Sequence, residues 1–372
     1  KVADSAAESL FKVAHPAAEL ALTQAAVLEA FLRPRPRAGE RIRVLFLAYL
    51  PQTNASARHR AYKWVEALRP FGIDAEVSPP TTAEAFHHLF SAAPKRWHAL
   101  TLWRRGRDLV RAKSFDVVIV QRELLGEYFD DLPIMLLGLR AANPRIIYDV
   151  DDAIYMLPPQ ARRARERWPN WMAKTRWWAH HAASRAVFAS TEDLWRAAPS
   201  QSQHKVHVVP TLVDVEAYPV RQHDARAPVV LGWAGNGGNL SYLDVARDAL
   251  AKVASRRDVV LQVVSNRAYE IPGVPTEFVP WTLERERDLF STFDVGLMPL
   301  TDNPYTRSKA AFKLLQYMAA GVPSVASPVG FNRQVVLDGE TGFLASDMDA
   351  WVGALIRLID DPSLRARMGA AG

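Results

Sequence analysis

Residues 307–321 read Arg-Ser-Lys-Ala-Ala-Phe-Lys-Leu-Leu-Gln-Tyr-Met-Ala-Ala-Gly, with Lys309, Lys313 and Gln316 at i, i+4 and i+7. The spacing predicts one helix that carries two ammonium groups and an amide on one face and Phe312, Leu315 and Ala319 on another. Thr306 or Ser308 stands where a cap is needed, and Gly321 with Pro323 ends the helix. Free N–H groups at a helix start beside two lysines suit a diphosphate. The competing reading is a solvated lysine face on an ordinary amphipathic helix.

Three further clusters could do chemistry. Gly235-Asn236-Gly237-Gly238-Asn239 follows a β-branched run and precedes a helical stretch, so its backbone can approach phosphate oxygens with no Cβ in the way. A plain glycine-rich turn is the alternative. Leu240 stands where a dinucleotide fingerprint needs its third glycine, which excludes that reading. Arg58 and Arg60 follow the first strand and suit bidentate phosphate binding, or else sit exposed at a helix start. Asp151 and Asp152 leave a strand at its carboxyl end, the edge where doubly wound sheets bind ligands, or else cap the next helix.

The elements that position these residues follow from short β-branched runs with helical stretches between them. Runs at 43–49, 116–121, 145–150, 186–189 and 206–209 read as buried strands, and the alternation restarts at 229–233, 259–265, 295–298 and 324–326. Helical stretches at 240–255 and 283–290 supply crossovers. Two βαβ domains in tandem are expected, joined where Pro219 and Pro228 bracket a polar run. Residues 1–38 read as an Ala-rich helical appendage ended by alternating prolines and arginines.

Length and composition agree. A chain of 372 residues with 49% hydrophobic and 23% charged residues is an ordinary folded protein of two domains, not a disordered or collagen-like one. No cysteine is present, so disulfides, thiolate metal sites and cysteine nucleophiles are excluded, and a cytoplasmic location is the default expectation. No run of about 18 uncharged apolar residues predicts a transmembrane helix. The chain opens on Lys1 without a signal pattern, so any leader is expected to have been removed or never present.

The net charge of +6 lies in the first 220 residues, and the remainder is close to neutral. Basic and aromatic residues interleave at 95–113 and 162–185, where Trp168, Trp171, Trp177 and Trp178 fall. Such a surface suits an anionic membrane at the cytoplasmic face, although tryptophans at helical spacing also suit a core. No nucleic-acid module accompanies these residues, and nucleic acid is not an expected partner.

The second half resembles the family-4 group of GT-B glycosyltransferases. Asp-Val-Gly-Leu-Met-Pro-Leu at 294–300, the stretch 313–330, and Gly-Glu-Thr-Gly-Phe-Leu at 339–344 follow that family's donor-site pattern in order and spacing. Residues 209–214 and 232–235 add matches, and the likeness runs more loosely through 41–205. It implies an α/β GT-B architecture, two Rossmann-like parallel-sheet domains facing a central cleft. The expected layout is 1–38 appendage, 39–213 acceptor side, 214–228 linker and 229–372 donor domain, shortened at its C-terminus.

The resemblance further implies transfer of a sugar from a nucleoside diphosphate sugar, UDP or GDP, to a glycan or lipid-linked acceptor with retention, using no metal and no other cofactor. Lys309, Lys313 and the 235–238 loop are expected at the diphosphate, Gln316 at the ribose and Trp281, in a turn after a strand, near the base. Gly330, Phe331 and Asn332 are expected beside the donor sugar, Arg58 and Arg60 at a donor or acceptor phosphate, and Asp151 or Asp152 at the acceptor hydroxyl. Many family members carry two glutamates where this chain has Ser308 and Gln316. Serine and glutamine cannot act as carboxylates. Two rivals therefore stand beside the transferase: a non-catalytic glycan- or nucleotide-binding partner, and a GT-B nucleotide-sugar epimerase.

Overall fold

The computed structural model describes residues 41–83, 94–125, 133–157 and 170–372, so the expected appendage at 1–38 lies outside the described residues. The chain divides into two compact units, the first ending at Leu212 and the second running from Val213 to Gly372.

Unit 1 holds a six-stranded parallel sheet of β1 (Ile42–Leu47), β2 (Ile73–Ser78), β3 (Val117–Gln121), β4 (Ile146–Val150), β5 (Ala186–Ala189) and β6 (Val206–Val208), in the order β2-β1-β3-β4-β5-β6. Helix α1 (Lys63–Leu68) precedes β2. Helices α2 (Pro94–Arg111), α3 (Pro133–Ala142) and α4 (Asn170–Ala183) precede β3, β4 and β5. The central strands are buried throughout, which a parallel sheet covered on both faces requires. Ile42, Val44 and Phe46 pack with Trp64 and Leu68 of α1 on one face, and Leu45 and Leu47 pack with Leu136 and Leu139 of α3 on the other.

Unit 2 repeats the plan with β7 (Val229–Ala234), β8 (Val259–Ser265), β9 (Thr276–Pro280), β10 (Val295–Met298), β11 (Ser324–Ala326) and β12 (Gly342–Leu344), all parallel, in the order β12-β11-β10-β7-β8-β9. The order reverses between β7 and β10, and Gly232 of β7 pairs with Gly296 of β10 there. A Cβ on Gly232 would lie 1.9 Å from the Phe293 ring, and one on Gly296 would lie 2.5 Å from the Tyr317 ring. Both aromatic rings therefore lie against the sheet only because these positions lack side chains.

All nine strands read from the sequence are present. The strands left out, β2 and β12, and β9, which entered only as an unnamed strand before Trp281, stand at sheet edges. β2 and β9 are half solvated and carry acidic residues among their apolar ones, and β12 is only three residues long, so none offers an apolar run. The stretch expected as one crossover helix at 240–255 begins as tight 3₁₀ turns (Gly237–Ala246) before α5 (Arg247–Ala254).

The segment read as a linker, 214–228, is tied to unit 2. Asp294, fully buried after β10's entry turn, accepts hydrogen bonds from Arg221 Nη2 at 2.7 Å, Arg221 Nε at 3.1 Å and the Val230 amide at 2.8 Å. Arg365 donates to the Asp224 carbonyl at 2.6 Å, and His223 Nε2 meets the Gly321 carbonyl at 2.8 Å. Replacing Asp294 by Ala leaves a buried guanidinium unpaired and is expected to lower unfolding free energy by about 3–5 kcal/mol. Denaturant titration checks this. A loss under about 1 kcal/mol would reduce the pair to the weight of a surface contact.

Candidate functional site

The single helix expected over 307–321 is broken. A short helix α6 (Pro304–Arg307) is capped by Asn303, whose side chain accepts from the Tyr305 and Thr306 amides, while Thr306 Oγ1 accepts from the Asn303 amide. The chain then leaves the helix and passes through Ala311 at φ 51° before α7 (Phe312–Ala319) begins. Ala311 and Arg122 are the non-glycine residues with positive φ among the described residues. Lys309 is therefore not on the helix face of Lys313 and Gln316, and neither Thr306 nor Ser308 caps α7. Gly321, at φ 65°, does end α7 as expected.

The break nevertheless keeps the two lysines within reach of each other's charge. Lys309 Nζ lies 4.9 Å from the Tyr305 ring centre and 5.7 Å from that of Tyr242. Lys313 Nζ lies 4.8 Å above the Trp233 ring, and its stem crosses Gly235, where a Cβ would stand 2.9 Å from Lys313 Cε. Lys313 is half-buried and has no carboxylate at ion-pair distance among the described residues. Its surroundings, chiefly withdrawal from water and then the Lys309 charge, lower its pKa to about 7. These groups stand at the carboxyl ends of β7 and β10, where the strand order of unit 2 reverses, the position at which open parallel sheets bind ligands.

The 235–239 loop works differently from the expectation. Its amides are occupied: Gly235 N donates to the Val264 carbonyl at 2.9 Å, Gly237 N to Asn266 Oδ1 at 2.7 Å, Gly238 N to Asn236 Oδ1 at 2.9 Å and Asn239 N to the Asn236 carbonyl at 2.8 Å. These four N–H groups are engaged within the protein, and Gly235 instead admits the Lys313 stem. Gln316 is buried and donates from Nε2 to the Tyr218 hydroxyl at 3.1 Å. Ser308 is buried against the Pro304 carbonyl. Trp281 is half-buried, its amide donating to the Ser265 carbonyl. Phe331 belongs to the core, and Asn332 is buried with Nδ2 on the Ser327 carbonyl. Gly330, at φ 51°, passes so close to Arg307 that a Cβ would stand 2.1 Å from its carbonyl oxygen.

In unit 1 neither of the two expected arginines is exposed at a helix start. Arg58 is buried and donates to the Gln52 carbonyl at 2.9 Å. Arg60 is buried in a forked pair with Asp149 and donates to the Val209 carbonyl at 2.6 Å. Burial works against its charge, and the Asp149 carboxylate prevails and holds the guanidinium protonated. No local pattern indicated that Arg60 and Asp149, 89 residues apart, would meet.

Arg122, which the sequence reading missed, organises the acidic edge. It follows β3 at φ 56°, donates from Nε to Asp151 Oδ1 at 2.5 Å, approaches Asp152 Oδ2 at 3.7 Å and lies over the Tyr49 ring at 5.0 Å. Burial alone would raise the Asp151 pKa; the Arg122 charge and hydrogen bond outweigh it and hold Asp151 below the ordinary carboxylate range. Asp151 therefore takes a proton poorly and is better fitted to orient a hydroxyl. A charged residue directly after a buried strand was the available signal.

Residues 228–361 match the model of the family described as Glycosyl transferases group 1. A D-inositol 3-phosphate glycosyltransferase of Xylanimonas cellulosilytica is 30% identical over 223 residues, 51% of this chain, and the match spans about half of that relative, 52%. Sucrose-phosphate synthase from Thermosynechococcus elongatus superposes with a TM-score of 0.63 at 15% identity, covering 89% of this chain and 93% of its own. The Anabaena protein HepE, solved in complex with UDP and glucose, gives 0.57 at 14%, with the same coverage. The fold is GT-B, as expected.

Two outcomes follow from the lysine geometry. Ala311→Gly relieves a left-handed alanine and is expected to leave stability unchanged or raise it by up to about 1 kcal/mol, whereas in an unbroken helix it would cost about 1 kcal/mol; the sign of the change in thermal unfolding decides. Lys313 ionises near 7 when folded and near 10.5 when unfolded, so between those values the unfolded chain binds more protons. Stability is expected to rise with pH across that window. In Lys313→Met the Lys313 contribution to this rise vanishes, and the variant's advantage is largest below pH 7.

Proposed function

We propose that this chain, whose residues 228–361 form a group 1 glycosyltransferase domain on a GT-B fold, transfers a sugar from a nucleoside diphosphate sugar to a hydroxyl of a glycan or lipid-linked acceptor. The observation that carries the reading is Lys313, a half-dehydrated ammonium beside a second lysine, with no carboxylate at ion-pair distance among the described residues, at the strand-order reversal of unit 2. An ammonium held in that state is destabilised until an anion arrives, and a diphosphate supplies one.

Breaking the bond between the anomeric carbon and the diphosphate leaves negative charge on the departing phosphate. Lys313 and Lys309 are fixed before the reaction, so they stabilise that charge without reorganising. They supply the positive charge that a divalent metal would otherwise bring, and this reading uses neither a metal nor another cofactor. Gln316 is held by Tyr218 and supports α7 from beneath; if it reaches the ribose, it does so through its remaining amide oxygen. Trp281 would flank the base and Gly330 the donor sugar. Asp151, kept ionised by Arg122, and Asp152 would orient the acceptor hydroxyl. The family-4 likeness supports retention at the anomeric carbon. UDP is the nucleotide to try first, because a structural relative was solved with it.

Thermal unfolding with UDP, GDP, ADP and dTDP tests the reading, since a ligand at 100 times its Kd adds about 2.7 kcal/mol of stability. One nucleotide is expected to stabilise the chain, with Lys309→Ala and Lys313→Met each weakening it by tenfold or more, the order of one charged hydrogen bond lost. Affinity is expected to fall as pH rises above 7 in the parent and not in Lys313→Met. Nucleotide binding without nucleoside diphosphate release across an acceptor panel would favour the non-catalytic partner instead.

A further inference from the structure

Helices α2, α3 and α4 of unit 1 carry side chains that the transferase reading does not use. They connect β2 to β3, β3 to β4 and β4 to β5, steps that advance in one direction across the sheet, so right-handed crossovers place all three on one face. There α3 packs against both α2 and α4.

Each helix turns a stripe at helical spacing to solvent. On α2 it is Trp103, Arg107 and Val110; on α3, Ile134 and Leu137; on α4, Trp171, Lys174 and Trp178. Trp103, Trp171 and Trp178 are 57%, 64% and 62% exposed, whereas Trp177 of α4 is core. The guanidinium of Arg107 lies over the Trp103 ring at 5.1 Å. The three helices contain a single carboxylate, Asp108, which is buried and engaged by Ser78, Arg105 and Arg111.

We infer that this face is a docking surface for a membrane leaflet rich in anionic phospholipid. Apolar and aromatic side chains interleaved with cations, and no exposed carboxylate among the described residues of the three helices, match a surface of phosphate groups over hydrocarbon, where tryptophan rings settle at headgroup depth. A second copy of the chain fits poorly, because two such faces would set cation against cation. A nucleic acid would leave Ile134 and Leu137 without an apolar partner. The inference goes beyond the transferase reading and uses none of the nucleotide-site residues, so either can fail alone.

The test is co-sedimentation of the full chain with vesicles of phosphatidylcholine and of phosphatidylcholine mixed with phosphatidylglycerol, with tryptophan emission read in parallel. The chain is expected to sediment with the mixed vesicles only, to shift its emission to the blue and to dissociate as salt rises. Arg107→Gln with Lys174→Gln is expected to lower partitioning on the order of tenfold, and Trp171→Ala with Trp178→Ala to abolish the blue shift. A cooperative thermal unfolding transition at the parent's midpoint, read on the same samples, reports that each variant is folded. No sedimentation with mixed vesicles, equal binding to both vesicle types, or full binding by both variants would overturn the inference. So would a concentration-dependent dimer dispersed by Ile134→Asp.

Discussion

Two ammonium groups brought together in a poorly hydrated setting repel, and in unit 2 the course of the backbone and the faces of aromatic rings keep them there. Lys313 lies on the Trp233 face with its stem over Gly235, and Lys309 lies over Tyr305 and Tyr242. Aromatic faces soften the penalty of dehydrating a cation without neutralising it. The left-handed turn at Ala311 sets the direction in which each lysine leaves the chain. Gly232 and Gly296, under the Phe293 and Tyr317 rings, let the supporting helix seat closely enough for Lys313 to reach Gly235. Strain and small residues are concentrated around one charge, the pattern expected where local geometry serves a ligand.

Unit 1 solves the opposite electrostatic problem. Its buried charges are matched: Arg60 with Asp149, Arg105 with Asp108, and Arg122 with Asp151 and Asp152. A matched pair in a low dielectric fixes geometry and has little net charge left to offer a ligand. Arg60 therefore serves as scaffold between β4 and the end of the sheet, although its sequence position suggested a phosphate. Arg122 differs because it stands at the carboxyl edge with strained backbone and retains a little solvent access, as do the two carboxylates it holds.

The comparison with known proteins has the same division. Identities of 14–15% to solved structures establish the GT-B fold, and the group 1 match is confined to 228–361, the part that carries the lysines. The first unit, where acceptor specificity is expected, has the looser sequence likeness and the basic, tryptophan-bearing helices.

The sequence by itself determined the two parallel α/β units, because central strands buried on both faces must be continuous apolar runs; edge strands, half in water, carry no such mark. It also singled out the segment 307–321, since Lys309, Lys313 and Gly321 stand out by type and spacing. Tertiary structure decided what those residues do. Helical periodicity cannot foresee the break at Ala311, because a left-handed alanine is tolerated only where surrounding packing outweighs its local cost of about 1–2 kcal/mol. Nor can a local pattern show that the amides of the three glycines at 235, 237 and 238 are already bonded, or that Arg60 faces Asp149 across 89 residues of chain. Hydrogen-bond partners and charge matching are properties of which strands and loops meet, and that is fixed only when the sheet closes.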